Sequence, residues 1–221
     1  MTTQTETVAA RHEEAKKTSG LMHNIRSLAP VWTLLALMAF FSIASESFLR
    51  PVNLNNILVQ VSTLAILGTG MTFVLLTGQI DLSIASLVTL VGIINAHLFL
   101  NMGLPEPWAS LIAVGVSTLL GLVSGIASIK FRIPSFMSTL AMSLVAGGLA
   151  TVISQGRTYF QISEVAQFLG SGRIGGPNGI RVLTIVAALC LLIAFLVLRY
   201  TRFGRNIYMT GANPSGARLA G

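Results

Sequence analysis

The feature that most constrains this chain is a series of apolar stretches without charged side chains, each about as long as a bilayer-spanning helix, separated by short clusters of charge. No charge falls between Ser27 and Ser45, Glu106 is the only one from Leu82 to Ile129, and none falls from Val182 to Leu198. In hydrocarbon every backbone N–H and C=O must be satisfied by the protein itself, so only helices or closed barrels cross. Barrel strands alternate apolar and polar side chains. Here the apolar runs are continuous: twelve of the seventeen residues from Val182 to Leu198 are Leu, Ile, Val or Phe. An all-α, polytopic membrane protein with about six transmembrane helices follows, with spans expected at about 30–45, 57–77, 83–101, 108–129, 134–153 and 182–198.

The charge balance adds orientation. Lys and Arg number 14 against 7 Asp and Glu, for a net charge of +7. Such an excess would also suit nucleic acid, so its placement decides the matter. With a cytoplasmic N-terminus, ten basic residues fall in inner segments: Arg11, Lys16, Lys17, Arg26, Lys130, Arg132, Arg199, Arg202, Arg205 and Arg218. Four fall outside: Arg50, Arg157, Arg173 and Arg181. That asymmetry is the positive-inside pattern, so the expected partner is the lipid bilayer and not nucleic acid. Residues 1–29 form a polar cytoplasmic tail, too long to lead a cleavable signal. The helical domain covers 30–198, and 199–221 returns to the cytoplasm.

Within the spans, Ala113, Ser117, Gly121 and Gly125 recur at spacing four and are expected to form one close-packing face. Asp81 lies between the second and third spans. Asp81 or Ser83 is placed to cap the following helix and Gly78 to end the preceding one; a direct role of Asp81 in substrate or ion handling and contact with a partner subunit are the alternatives. Gln60, Asn95 and Ser143 either line a path or pair between helices, and no substrate-binding residue is read from them. The outer segment 154–180, with Tyr159, Phe160 and Pro177, is a candidate contact surface or a plain solvated loop. His12, His23 and His97 have no metal-ligand spacing, and the lone Cys190 allows no internal disulfide. No phosphate-cradling Gly-Lys motif, nucleophile elbow or HExxH is present. No catalytic role, metal or cofactor is therefore expected of the chain.

Three segments, in order, carry a resemblance. Thr77-Gly78-Gln79-Ile80-Asp81-Leu82-Ser83-Ile84-Ala85-Ser86 is similar to the TGGIDLSVGS signature of ABC sugar-importer permeases of the ribose/xylose type. Ile133-Pro134-Ser135-Phe136-Met137-Ser138-Thr139-Leu140 resembles the IPPFIVTLG segment that follows in that family. Arg202–Tyr208, Gly211–Pro214 and Ala217–Gly221 resemble its cytoplasmic loop after the sixth helix. Gln79 and Ala85 stand where the family often has Gly, and a single Pro134 replaces a frequent Pro pair.

The resemblance implies a transport subunit in a bacterial inner membrane, not an enzyme. Its partners would be a second permease subunit (identical or different), two ABC ATPase subunits inside and a periplasmic sugar-binding protein outside. The substrate would be a sugar, such as the pentoses ribose or xylose. Gly204, Arg205, Tyr208, Gly211, Asn213 and Arg218 would belong to the coupling segment that seats in the ATPase, and Gly78, Asp81 and Ser83 to the signature turn. Family members continue with further helices, so a C-terminal truncation inside the coupling segment is expected. A branched-chain amino acid permease of the same superfamily is the nearest alternative. A secondary transporter not driven by ATP is the other, although it would call for more intramembrane ionisable groups than Asp81.

Overall fold

The computed structural model describes residues 28–176 and 179–219. Among them are nine helices: α1 (Ala29–Ala44), α2 (Pro51–Leu76), α3 (Ile84–Leu100), α4 (Trp108–Lys130), α5 (Ser135–Ser154), α6 (Glu164–Ser171), α7 (Val182–Tyr200), α8 (Arg202–Ala212) and α9 (Pro214–Leu219). Strands β1 (Arg173–Ile174) and β2 (Ile180–Arg181) form a small antiparallel ribbon before α7. Residues 1–27 of the polar tail, with His12 and His23, then Pro177 and the last two residues of the matching cytoplasmic motif lie outside the described residues. The chain divides into two compact units between Leu54 and Asn55.

In the first unit, α1 opens with a proline in its first turn, where a missing N–H costs nothing. Its Thr33 and Ser42 hydroxyls donate to Ala29 O (2.9 Å) and Met38 O (2.6 Å), so its few polar groups are satisfied within the helix. Phe41 packs against Phe40 and Phe48 at 5.3 and 5.8 Å between ring centroids.

The second unit is built on α3, α4 and α5. Leu90 and Ile94 of α3 meet Ala113 of α4 and Ala146 and Ala150 of α5 in its core. The distribution is that of a membrane bundle, with small residues inside and bulky apolar ones outside. On α4, Ala109 and Ala113 are fully buried while Leu111 and Leu119 are 58% and 61% exposed. Hydroxyls tie the helices together: Ser138 Oγ donates to Ser124 O (2.7 Å), Ser86 pairs with Ser143 (2.7 Å), and Ser62 Oγ donates to Thr184 Oγ1 (3.1 Å). Ser143 thus pairs between helices. Four helices, α2, α4, α5 and α7, are long and apolar enough to cross a membrane. The apolar helices α1 and α3 have 16 and 17 residues. At ~1.5 Å per residue they reach about 24–26 Å, somewhat less than a ~30 Å hydrocarbon core.

Three expectations change in detail. The helix that carries the expected second span starts earlier, at Pro51, where the missing N–H of a first-turn proline costs nothing; Asn53 Nδ2 donates back to Phe48 O (2.8 Å). The packing face of α4 is Ala109, Ala113, Ser117 and Ser124, with Gly121 against Leu87, while Gly125 is exposed. Steps of four residues drift about 40° each on a helix turning ~100° per residue, so the fourth member leaves the face and Ser124 takes its place. Finally, segment 154–180 is not a plain loop. Ser163 Oγ accepts from Ala166 N (3.1 Å) and, with Glu164 in the first turn, starts α6.

Candidate functional site

The signature turn links α2 to α3. Gly78 adopts φ +76°, its N–H donates to Leu75 O (2.9 Å), and Gln79 N–H donates to Val74 O (3.3 Å). This is a Schellman end, which requires a left-handed residue where Gly stands. From Gln79 the chain runs without helix to Ser83. Asp81 Oδ1 accepts from Ser83 N–H (2.7 Å) and Ser83 Oγ (2.6 Å), so Asp81 organises the start of α3 through an Asx turn. Ser83 is the N-cap residue of α3 by position but makes no capping bond with its own side chain, and it is almost wholly buried.

The two signature segments meet in space. Ile80 N–H donates to Ser135 Oγ and Leu82 N–H to Thr139 Oγ1, both at 3.1 Å. Thr139 Oγ1 also lies within reach of Ile80 O (3.3 Å) and Ser135 O (2.8 Å). The hydroxyls of the first turns of α5 therefore satisfy backbone groups that the helical break leaves open. This is the condition for non-helical backbone within an apolar bundle. Ser135 and Thr139 carried a visible signal, hydroxyls four residues apart at a helix start, but nothing in the sequence names their partners.

Asp81→Asn keeps an acceptor oxygen for Ser83 and is expected to change stability by less than ~0.5 kcal/mol, whereas Asp81→Leu orphans two donors and is expected to cost about 1–3 kcal/mol. Unfolding of the detergent-solubilised protein by a denaturing detergent measures both. Equal losses for Asn and Leu would rule out the capping role.

α8 closes the same end of the bundle. Thr201 Oγ1 accepts from Gly204 N (3.1 Å) and starts the helix. Gly204 and Ile207 are buried, Phe203 packs on Phe73 of α2 (6.4 Å between centroids), and a Cβ on Gly211 would overlap the Leu76 carbonyl. Asn213 Oδ1 accepts from Ser215 N (3.1 Å) and Gly216 N (3.0 Å), capping α9. The six residues expected in a coupling segment thus fall into two sets. Gly204, Gly211 and Asn213 shape the segment, while Arg205, Tyr208 and Arg218 stay exposed. Arg218 also lines a hollow of about 400 Å³ between α8 and α9, with Asn206, Met209 and Thr210.

The opposite end has a polar node absent from the sequence reading. Glu106, between α3 and α4, accepts from Asn95 Nδ2 (2.8 Å), Ser110 Oγ (2.7 Å) and Ser163 Oγ (3.1 Å). Asn95 therefore pairs within the bundle's end. Burial pushes the Glu106 carboxyl up, but these hydrogen bonds outweigh it and hold its pKa below the ordinary value. Beside it, Tyr159 Oη contacts His97 Nδ1 and accepts from Asn101 Nδ2, each at 3.2 Å. His97 also borders a largely apolar groove of about 500 Å³ between α3, α4 and α5. Among the described residues no group of three or more His, Cys, Asp or Glu is placed to hold a metal ion.

Apolar helices with small residues inward, bulky ones outward and a hydroxyl-satisfied break define a multi-pass α-helical membrane protein. Residues 53–221 match the family described as branched-chain amino acid transport system / permease component, and the chain belongs to that family. It is 36% identical over 192 residues to the ribose import permease protein of Escherichia coli (strain K12), covering 85% of this chain and 59% of that protein. It is 32% identical over 213 residues to the L-arabinose ABC transporter permease protein of Azospirillum brasilense, covering 94% and 60%. It is 30% identical over 216 residues to the fructose import permease protein of Rhizobium meliloti, covering 93% and 59%. The chain thus spans about three-fifths of the length of these relatives. No solved structure matches it.

Proposed function

We propose that the chain is the membrane-spanning part of an ATP-driven importer for a sugar, with the pentoses ribose and xylose as first candidates, in a bacterial inner membrane. The observation that carries this is the α8–α9 segment. It is a capped pair of helices held against the end of α2, with Arg205, Tyr208 and Arg218 left exposed at one end of the bundle. Such a built, basic surface suits a soluble ATPase, and similarity to ribose, fructose and arabinose permeases supports the sugar assignment. ATP hydrolysis belongs to the partner.

Orientation follows from charge. The α8 end carries Lys130, Arg132, Arg199, Arg202, Arg205 and Arg218, and the Glu106 end carries Arg157, Arg173 and Arg181. The α8 end is therefore cytoplasmic. A sugar-binding protein would approach the Glu106 end, and a second permease subunit, identical or different, would complete the pathway. Alternating access would then be a shift between inward- and outward-open states biased by ATP in the partner.

The test is uptake by proteoliposomes holding the permease with a candidate ABC ATPase and sugar-binding protein. Labelled ribose, xylose, arabinose and fructose are offered with and without internal ATP. ATP-dependent uptake of at least one sugar is expected. Uptake of leucine but no sugar would move the assignment to the branched-chain amino acid alternative, which the family description makes the second reading. Sugar uptake that follows a proton gradient without ATP would overturn the proposal.

A further inference from the structure

We infer that the extended strap from Gln79 to Ser83 transmits movement of α8 to α5, with Ser135 and Thr139 as the positioning residues that latch it. The functional part of this inference rests on the permease reading above. Three observations carry it. First, α8 bears on backbone. Gly211 lies so close to the Leu76 carbonyl that no Cβ fits, and Phe203 packs on Phe73. Phe73 and Leu76 are three residues apart and so share a face at the end of α2. A displacement of α8 meets the last turn of α2 with little flexible side chain between them.

Second, α2 hands directly to the strap. The Gly78 end turns the chain sharply out of the helix within two residues, and Asp81 pins the far end of the strap to α3 through Ser83. Third, strap and α5 match in register. Ile80 and Leu82 are two residues apart, about 6.6 Å along an extended chain. Ser135 and Thr139 are one helical turn apart, about 6 Å along α5. Two amides therefore meet two hydroxyls in step, at 3.1 Å each. These cross-links between strap and α5 end on side chains that a substitution removes without touching either backbone.

Static packing would show the same bonds, so the test perturbs one end and reads the other. In the purified full-length permease in nanodiscs, hydrogen exchange at the Ile80 and Leu82 amides is followed by mass spectrometry. Gly211→Ala, and Phe203→Ala as a milder variant that only removes the ring contact, are expected to speed this exchange roughly tenfold and fewfold. Ser135→Ala with Thr139→Val is expected to do the same, and adding Phe203→Ala to that pair should bring no further increase. If both α8 variants leave the strap amides as protected as in the parent protein, the relay is wrong.

In proteoliposomes with the partners, the Ser135→Ala, Thr139→Val pair is expected to lower sugar moved per ATP hydrolysed by about fivefold while the amount of bound ATPase is unchanged. Thr139→Ser, which keeps a hydroxyl, should hold the parent ratio. An unchanged ratio in the pair overturns the relay as a transport device. A parent protein that couples α8 to the strap in exchange yet takes up no sugar with ATP would refute the sugar-importer reading alone.

Discussion

Gly211→Ala is expected to destabilise the full-length protein while Gly115→Ala stabilises it, although both replace a helical glycine by the better helix former. At Gly115, on α4, a Cβ would meet nothing within 4 Å, so the substitution only removes backbone freedom from the unfolded chain and is expected to gain about 0.5–1 kcal/mol. At Gly211 the Cβ would overlap the carbonyl of Leu76. A backbone carbonyl at a capped helix end cannot rotate away as a side chain does. The helix must move instead, at a cost of about 1–3 kcal/mol. It would carry Phe203 off Phe73 and shift Arg205, Tyr208 and Arg218 together. Thermal unfolding in detergent, followed by helical circular dichroism, gives the two signs. The proposed partner gives a second readout, because recovery of the ATPase with the Gly211→Ala permease is expected to fall severalfold. Matching thermal shifts for the two alanine variants would remove the close contact as the reason for Gly211.

Much of this fold was legible because a bilayer simplifies the code. Burial and exposure are both apolar, so length and charge placement locate helices: the expected 108–129 and 134–153 became Trp108–Lys130 and Ser135–Ser154. Gly78 was legible for a local reason, since a left-handed turn favours glycine whatever surrounds it. Asp81 was legible as a local organiser of the turn, but it bonds Ser83 in an Asx turn and not the free amides of α3's first turn. Contacts across the bundle were not legible. A threonine in an apolar helix can satisfy itself on the carbonyl four residues back, as Thr69, Thr72 and Thr118 do. Thr139 does this too, at 2.8 Å to Ser135 O, and also reaches the strap. Its place four residues after Ser135 at a helix start marks it, but nothing in its sequence neighbourhood names the strap as its partner. Gly211 is similar. Its need for a bare Cα comes from Leu76, 135 positions earlier in the chain, and no local pattern records it. Arg205, Tyr208 and Arg218 were named by resemblance, but their separation from Gly204, Gly211 and Asn213 depends on how α8 and α9 pack.

Glu106 supplies a prediction at the other end of the bundle. Its carboxylate gathers Asn95 of α3, Ser110 of α4 and Ser163 at the start of α6, so one side chain ties the long outer segment to the α3–α4 connection. Glu106→Leu removes the common acceptor. Asn95 keeps Ser110 as a partner at 2.9 Å and the site is only half-buried, so the cost is expected to be about 1–3 kcal/mol in total and not that much per bond. Glu106→Gln keeps one acceptor oxygen, and Ser110 can reverse to accept, so it is expected to cost under ~1 kcal/mol at neutral pH. The pH dependence separates the two effects. The folded-state pKa of Glu106 lies below its ordinary value. Its ionised form therefore contributes stability that is fully present above that ordinary value and is lost as pH falls through the lowered folded value. The parent protein is expected to lose this contribution across the acidic carboxylate range, while Glu106→Gln has nothing to titrate there. The parent-minus-variant difference in unfolding free energy should shrink as the solution is acidified. Proteolysis within residues 156–162 should accelerate over the same interval in the parent only, because Ser163, directly after that stretch, ties it to Glu106, while Tyr159 within it contacts α3 and the following Asn101. A difference that stays constant with pH would mean that Glu106 holds the segment by shape alone, and its charge would have no part in it.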